Sequence, residues 1–341
     1  MEIDKIELDH GAGGSLTQKL IEEIILPAYK NKRVKNGIGL DELDDGATIP
    51  VQDYEIVITT DAHTVSPLFF PGGDLGKLAV CGTINDVSVM GARPLAITSA
   101  IIIEEGFPID DFKRILKSMN DVLVETNVSL ICGDTKVMPK GNLDKMVIST
   151  TGIGILKRGT VITDSGLKPG DKIIINGSIG DHGIALISKR EGLSFETELI
   201  SDCAPLYETI QAAMQPGGIT AMKDPTRGGV AGLLNELASK SKVSIWIDED
   251  NLPIKDAVRA ACDMLGFDPL TLTCEGRVIF GVNKNVVDET LNLIKKTKYG
   301  RDAQIIGEVK EERPGYVILN TSIGGKRIVE TPRAGPIPRV C

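Results

Sequence analysis

The stretch Leu75-Gly-Lys-Leu-Ala-Val-Cys-Gly-Thr-Ile-Asn-Asp-Val-Ser-Val-Met90 contains the pattern that decides the fold. Its apolar residues recur at spacings of four, three and three from Val80 to Met90, which predicts an amphipathic helix. A β-branched run over 94–103 predicts a strand directly after it, and Pro108 opens a second patterned helix. Strands and helices alternate along the rest of the chain. The sequence therefore predicts an α/β (α+β) fold built in layers.

Composition places the chain among globular proteins of more than one domain. It has 341 residues, a hydrophobic fraction of 42% and a net charge of −9, which argues against partners such as nucleic acid or an anionic membrane. No apolar run has the length of a membrane span, and residues 1–5 do not resemble a signal peptide. Six cysteines without a CxxC pair argue against structural zinc. We expect a cytoplasmic protein with reduced thiols.

Two domains and a tail are predicted. A break over 157–171, rich in glycine, lysine and aspartate, separates an N-terminal domain at 1–157 from a C-terminal α/β domain at 158–331. The tail at 332–341 contains three prolines and a glycine, so we expect it to be extended, flexible and able to reach about 30 Å. It ends in Cys341. From the tail alone, a functional thiol and an incidental cysteine both remain open interpretations.

Aspartates in glycine-bearing settings predict a magnesium site. Asp61 and Asp134 each follow an apolar strand, Asp86 lies one turn after Gly82 on the predicted helix, and Asp45 lies on a glycine loop. Strand ends of layered folds commonly bind ligands. Converging carboxylates repel one another unless a cation neutralises them, and their oxygens suit Mg²⁺ held with a nucleoside triphosphate. The alternative is that each aspartate only caps a turn.

Three glycine clusters are candidates for cradling phosphate groups with backbone N–H groups. They are Gly11-Ala-Gly-Gly14, Gly177-Ser-Ile-Gly-Asp-His-Gly183 and Thr226-Arg-Gly-Gly229. None matches a P-loop or the dinucleotide fingerprint, and a tight turn is the alternative interpretation of each. Lys136 stands two residues beyond Asp134, so we expect it in the same cleft, although a surface lysine is the ordinary alternative.

Taken together, these motifs resemble the HypE family of hydrogenase maturation proteins, over nearly the whole chain. The matching segments are HGAGG at 10–14, CGTINDVSVMGA at 81–92, EEGF at 104–107, GDTK at 133–136, GDHG at 180–183, DPTRGG at 224–229, EG at 275–276 and PRVC at 338–341. The aspartate and glycine motifs alone indicate the superfamily of aminoimidazole ribonucleotide synthetase and selenophosphate synthetase, and the terminal PRVC narrows it to HypE. The resemblance implies a two-domain PurM-like fold whose N-terminal sheet pairs across a homodimer.

The resemblance also implies a reaction. A partner carbamoyltransferase, HypF, carbamoylates Cys341, and ATP then dehydrates the S-carboxamide to an S-cyanide with release of ADP and phosphate. A HypC–HypD complex receives the cyanide for the iron of nickel–iron hydrogenase. Phosphorylation would turn the amide oxygen into a phosphate leaving group, with Mg²⁺ offsetting its charge. Lys136 and Glu275 match family residues that we assign to deprotonation at the tail, so the predicted catalytic residues are Cys341, Lys136 and Glu275.

The remaining residues carried over from the family are predicted to hold ATP and Mg²⁺. The predicted metal ligands are Asp45, Asp61, Asp86 and Asp134. The predicted nucleotide contacts are these four with Gly11, Gly13, Gly14, Asn85, Thr135, Asp224, Thr226, Gly228 and Gly229.

One position departs from the family pattern. The residue before the glutamate of the EG pair is commonly asparagine, but here it is Cys274, which leaves the local hydrogen bonding open and adds a thiol that we expect to be structural. Two other functions also stay open. An ATP-dependent PurM-like enzyme acting on a free small-molecule amide or selenide would have no use for a terminal cysteine. A non-enzymatic scaffold for hydrogenase assembly would not turn over ATP.

Overall fold

The computed structural model describes residues 3–193 and 199–333. Its N-terminal half contains a five-stranded sheet, a two-stranded ribbon and four α-helices, with a 3-10 helix at Leu8–Gly11 and a π-helix at Ile21–Ile25. The α-helices and strands are α1 (Ser15–Leu20), α2 (Leu26–Ala28), β1 (Ala47–Val51), β2 (Tyr54–His63), β3 (Phe69–Phe70), β4 (Gly73–Asp74), α3 (Leu75–Val89), β5 (Arg93–Glu104), α4 (Ile109–Thr126), β6 (Ser129–Met138) and β7 (Met146–Lys157). The five-stranded sheet has the order β1-β2-β7-β5-β6, in which only β5 and β6 run parallel.

Helix α3 lies directly on one face of this sheet, against β2 and β7. Two glycines of β7 permit the close approach. A Cβ at Gly152 would lie 2.7 Å from Thr83 Cγ2, and one at Gly154 would lie 2.3 Å from Val87 Cγ1. The opening motif of the sequence is therefore a buried helix whose depth is set by the sheet beneath it.

The other face of the sheet is apolar and is not covered by any described residue. Its central strands present half-buried isoleucines there, namely Ile56, Ile58, Ile102, Ile153 and Ile155. The last strand, β6, is exposed along nearly its whole length, with Ile131 61% and Val137 64% exposed. An uncovered apolar face beside an unpaired strand edge is typical of a protein–protein interface.

The C-terminal half is built on a seven-stranded sheet with the order β14-β13-β10-β12-β8-β11-β9. Its elements are β8 (Lys172–Ile175), α5 (Asp181–Glu191), α6 (Tyr207–Met214), β9 (Ile219–Lys223), α7 (Gly229–Ser241), β10 (Ser244–Asp248), α8 (Asp256–Leu265), β11 (Ile279–Val282), α9 (Val287–Lys295), β12 (Gln304–Lys310), β13 (Val317–Asn320) and β14 (Lys326–Ile328). One apolar cluster joins the halves, since α3 and α4 pack with Ile184 of α5 and Val258 of α8. The predicted layered α/β fold is confirmed.

Two strands are longer than the sequence predicts. Strand β2 continues through Asp61, and β6 continues through Asp134 to Met138. Each strand keeps a partner over this extra length, β7 in the first case and β5 in the second. The two aspartates therefore lie within strands rather than after them. Among residues 3–193 and 199–333, no helix is long and apolar enough to cross a membrane.

The start of the tail is docked on the N-terminal half. The N–H groups of Ser15 and Leu16 donate to the carbonyl oxygens of Pro332 and Arg333, at 3.0 and 3.4 Å. Gly14 makes room for this contact, because a Cβ there would lie 2.2 Å from the Pro332 oxygen. Cys341 lies outside the described residues, so the predicted flexibility and reach of the tail stay predictions.

Candidate functional site

A cleft between the two halves contains much of the predicted site. Its cavity volume is about 130 Å³, and it opens to solvent. The N-terminal half contributes residues of β2 and α3, and the C-terminal half contributes the loops that precede α7 and β11. The lining residues are Gly11, Asp61, Ala62, His63, Thr64, Leu78, Gly82, Asp86, Asp224, Thr226, Arg227 and Glu275.

Three predicted aspartates face this cleft. Asp61 comes from β2, Asp86 from α3, and Asp224 directly follows β9. Burial and the charges of Asp61 and Asp224 raise the pKa of Asp86 well above its ordinary value. Burial raises the pKa of Asp224 to about 7, against the opposing charge of Lys223. Carboxylates that disfavour one another's charge in this way create a negative environment that would favour a bound cation.

Asp45 is held by a lysine that sequence reasoning missed. The Lys223 ammonium donates to Asp45 Oδ1 and, at 2.9 Å, to Asp164 Oδ2. Burial disfavours its charge, but Asp45, Asp164 and Glu236 together raise the pKa of Lys223 well above its ordinary value, so it stays protonated. Asp45 Oδ2 has no hydrogen-bond partner among the described residues. A metal role for Asp45 therefore stays a prediction, one that requires Lys223 to release it.

The donor set fits a hard cation without being a finished metal site. Within the described ranges, no three carboxylate, imidazole or thiol groups are arranged to hold a metal ion. Asp61 and Asp86 converge on the cleft, and Thr59 Oγ1 donates to Asp86 Oδ2 at 2.9 Å, which orients that carboxylate. Oxygen donors of this kind suit Mg²⁺, which usually keeps several waters and takes its other ligands from phosphates.

The predicted glycine loop closes against the loop that precedes α7. Gly13 has a φ of +80°, and a Cβ there would lie 2.3 Å from the Cβ of Arg227, so the two loops touch through backbone. Gly11 and Thr226 line the cleft on either side of this contact. Helix α7 begins at Gly229, so a helix N-terminus borders the cleft, and such ends attract phosphate groups. The cluster at 177–183 is not among the lining residues.

Asn85 is buried and makes hydrogen bonds within the protein, and its predicted contact with nucleotide stays a prediction. It is 1% exposed, its Nδ2 donates to the Ala204 carbonyl at 3.1 Å, and its Oδ1 accepts from the Leu206 N–H at 2.8 Å. Successive helical residues point about 100° apart, so Asp86 faces the cleft while Asn85 faces the C-terminal half. Both polar groups of the Asn85 side chain are therefore used within the protein.

Asp134, Thr135 and Lys136 lie in β6, away from the cleft of their own chain. Three strand spacings, about 14 Å, separate Asp61 from this part of β6. Across the sheet, Asp61 of β2 pairs with Thr150 of β7, Thr150 with Ser99 of β5, and Ser99 with Gly133 of β6. Asp134 and Lys136 also lie on the open face, opposite α3, because their β5 partners alternate with buried residues. Contrary to the expectation of one cleft, a single chain does not bring Asp134 and Lys136 to the other predicted residues.

Glu275 lines the cleft from the C-terminal half. Burial, followed by the nearby Cys203 and Asp224, raises its pKa well above the ordinary value. A carboxyl group shifted in this direction is suited to proton transfer near neutral pH. The adjacent Cys274 is fully buried, its Sγ accepts from the Gly180 N–H at 3.3 Å, and burial raises its pKa well above the ordinary value. These features indicate an unreactive thiol at Cys274.

His63 is a lining residue that sequence reasoning did not assign. Its Nε2 lies 3.8 Å from Asp61 Oδ2 and has no hydrogen-bond partner in the described part of the chain. The ring covers the helix surface at Gly82, where a Cβ would lie 3.0 Å from His63 Cε1. The signal was available in the alternation of β2, which places residues 61 and 63 on one face.

Family models match most of the chain. The N-terminal domain of AIR synthase related proteins matches residues 43–156, and the C-terminal domain matches residues 168–320. A putative hydrogenase expression/formation protein of Methanocaldococcus jannaschii is 49% identical, over 99% of this chain and 100% of the relative. The carbamoyl dehydratase HypE of Rhizobium leguminosarum bv. viciae is 44% identical, over 99% of this chain and 95% of the relative.

Solved structures give the same result. HypE in a HypE–HypF complex superposes with a TM-score of 0.85 at 46% identity, over 92% of this chain and 99% of that chain. A HypE in complex with ATP superposes with a TM-score of 0.82 at 37% identity, over 99% of this chain and 100% of that chain. The protein therefore belongs to the AIR synthase related proteins and, within them, to the HypE family of hydrogenase maturation proteins.

Proposed function

We propose that this protein dehydrates an S-carboxamide on its own Cys341 to an S-cyanide, with ATP as the activating substrate. The observation that carries the proposal is the cleft, where Asp61 and Asp86 of one half meet Asp224, Thr226 and Glu275 of the other. The structure of a HypE with ATP supports the nucleotide, and the dehydratase name of the relatives supports the reaction. The product would supply the cyanide ligand of nickel–iron hydrogenase.

The position of the tail supports Cys341 as the reacting residue. Pro332 and Arg333, the last described residues of the tail, contact the glycine loop that borders the cleft. Eight residues separate Arg333 from the end of Cys341, a length that spans about 26 Å when extended. We infer that the terminal thiol can reach the cleft from Arg333, because Arg333 contacts the loop that borders it.

The chemistry requires two changes at the carboxamide. Its oxygen attacks the γ-phosphoryl group of ATP, the bond to ADP breaks, and one N–H proton leaves to give a phosphorylated imidate. The remaining N–H proton and the phosphate then leave, and the C≡N bond forms. The carboxamide and ATP thus become a nitrile, ADP and phosphate, with the carboxamide oxygen in the phosphate.

The chain's own residues supply positioning and proton transfer. The helix N-terminus at Gly229 and the loop around Thr226 would hold phosphate groups. Asp61 and Asp86 would hold Mg²⁺, which offsets negative charge on the transferring phosphoryl group when it is bound. Glu275, whose pKa is raised, would accept an N–H proton of the carboxamide.

A homodimer would add Asp134 and Lys136 to this cleft. These two residues lie on the uncovered apolar face of the N-terminal sheet, away from the cleft of their own chain. A second copy packed on that face would cover its half-buried isoleucines and bring β6 beside the partner. We assign Lys136 to deprotonation and Asp134 to metal binding across the dimer. This arrangement accounts for two polar residues whose positions a monomer does not explain.

Two partners, a carbamoyl donor and a cyanide acceptor, follow from the proposed reaction. A carbamoyl donor is required, and the HypE–HypF complex among the similar structures supports a HypF-type carbamoyltransferase in that role. A cyanide acceptor is required after dehydration, and we propose a HypC–HypD complex. The tail would carry the same sulfur atom from the donor to the cleft and then to the acceptor.

Mass spectrometry of the C-terminal peptide tests the proposal. Incubation with HypF, carbamoyl phosphate and ATP should add a carboxamide to Cys341, followed by loss of one water in the presence of Mg²⁺. Cys341→Ser should show neither change, whereas Cys274→Ser should show both. Carboxamide on another cysteine, or ATP-dependent dehydration of a free amide alone, would overturn the assignment in favour of a small-molecule enzyme. Carbamoylation without ADP release would indicate a scaffold.

A further inference from the structure

The segment at residues 201–206 runs between α3 and the loop that carries Glu275. It is buried throughout, although it has no regular secondary structure. It lies between Asp86, on α3 of the N-terminal half, and Glu275, in a loop of the C-terminal half. It belongs to neither of the glycine loops, at 11–14 and 226–229, that border the cleft, and none of its residues is a predicted ligand. It makes hydrogen bonds to both sides, and the positioning role inferred from them rests on the proposed dehydration.

One end of the segment is fixed to α3 by a single side chain. Asn85 donates to the Ala204 carbonyl at 3.1 Å and accepts from the Leu206 N–H at 2.8 Å. Two hydrogen bonds to alternate backbone groups fix both the position and the direction of an extended segment. Asn85 is the residue next to Asp86, so the segment is located relative to that carboxylate.

The other end is fixed to the loop that carries Glu275. Asp202 Oδ1 accepts from the Glu275 N–H at 3.2 Å, and its Oδ2 lies 3.4 Å from Arg277 Nε. The backbones also touch, because a Cβ at Gly276 would lie 1.8 Å from the Asp202 carbonyl oxygen. The Asp202 side chain is fully buried, so water does not compete for these contacts.

We propose that residues 201–206 form a strap that sets the position of Glu275 relative to Asp86, with Asn85 and Asp202 as its two positioning residues. Neither residue touches the reacting atoms. Their effect is geometric, since a proton acceptor displaced by about 1 Å can lose two orders of magnitude in rate. The strap therefore links the metal-binding side of the cleft to its proton-accepting side.

The test measures single-turnover dehydration and ATP affinity separately, in the full chain carbamoylated by HypF. Asp202→Ala should dehydrate at least tenfold more slowly, with the Kd for Mg²⁺-ATP within threefold of wild type. Asp202→Asn should stay within threefold in both, because an amide oxygen still accepts from the Glu275 N–H. Asp171 provides the matched control, since it is 3% exposed and accepts from the Lys168 N–H at 2.8 Å outside the cleft. Asp171→Ala should keep the wild-type rate.

A second variant guards against poor folding of the first. Asn85→Ala should slow dehydration in the same way, and Asn85→Ala with Asp202→Ala should be about as slow as the slower single variant, because both break one strap. Wild-type rates in either single variant, equal loss in Asp171→Ala, or multiplying effects in the double variant would overturn the strap. Failure of the wild type to lose water would instead refute the proposed function.

Discussion

At the scale of single residues, Lys223 connects the two halves of the molecule beside the cleft. It is nearly enclosed, and it bridges Asp45 of the N-terminal half and Asp164 of the segment between the sheets. Asp164 also accepts from Lys240 at 3.0 Å. The network therefore joins the two halves through charge as well as through the shared apolar core. It also places a cation one residue before Asp224.

Replacing Lys223 tests this network. Lys223→Met leaves buried carboxylates without their cation, and breaking such a pair costs about 3–5 kcal/mol of unfolding free energy. Urea denaturation measures the loss. Lys172→Met is the matched control, because Lys172 and Glu308 form a pair at 2.8 Å whose side chains are 35% and 41% exposed. The control should lose less than about 1 kcal/mol.

The same variant should have a defined pH dependence. In the wild type the raised pKa of Lys223 gives a contribution that is complete below its unfolded value of 10.5 and is lost only as pH rises through the folded value. In Lys223→Met the buried carboxylates bind protons more tightly than the unfolded chain does, so stability falls as pH rises. The deficit should be larger at about pH 8 than at about pH 5. An equal deficit at both values would contradict the ion-pair assignment.

At the scale of elements, α1 is completed by the tail. The helix has no side-chain cap at Gly14, and its first N–H groups would otherwise lack partners in the protein. The carbonyls of Pro332 and Arg333 supply them. Helix α1, which follows the glycine loop at the cleft, and the start of the tail therefore share hydrogen bonds.

Gly14→Ala should separate these two elements. The added Cβ would overlap the Pro332 oxygen, so the amides of Ser15 and Leu16 should exchange hydrogen about tenfold faster, as expected for a lost bond of roughly 1.4 kcal/mol. Gly232→Ala is the control, because its Cβ would meet its nearest neighbours only at 3.9 and 4.0 Å. Unchanged exchange at Ser15 and Leu16 in Gly14→Ala would mean that the tail contact does not support the helix.

At the scale of the whole molecule, the division of the site between two faces predicts complementation. A dimer of one Lys136→Ala subunit and one Glu275→Gln subunit has one intact cleft if Lys136 acts across the interface, and none if it acts within its own chain. Differentially tagged heterodimers should keep about half the wild-type dehydration, whereas each variant homodimer should be inactive. Complete inactivity of the heterodimer would place both residues in the same subunit.

The sequence could predict the local features of this site more readily than its long-range contacts. The local sequence predicts Asp61 and Asp86, the family resemblance predicts Asp224, and the cleft brings all three together. The sequence also predicts Asp134 in the cleft, but the structure places it within β6. The strand continues beyond its apolar start because it pairs with β5, and this pairing leaves no signal in the local sequence. The contacts of Lys223 with Asp45 and of Asn85 with Ala204 join residues more than a hundred positions apart. Side-chain pattern along one segment does not encode such pairs.

The two glycines beneath α3 limit which substitutions the protein can tolerate in β7. Gly152 and Gly154 lie on β7, far along the chain from the residues that line the cleft, and neither has a side chain that can react. A single methyl group at either one would lift the helix, and the helix carries Asp86 on one side and Asn85 on another. One small displacement would therefore move the proposed metal ligand Asp86 and the proposed strap anchor Asn85 together. A site whose residues must be positioned to within about half an ångström thus depends on the absence of a Cβ atom at these two glycines.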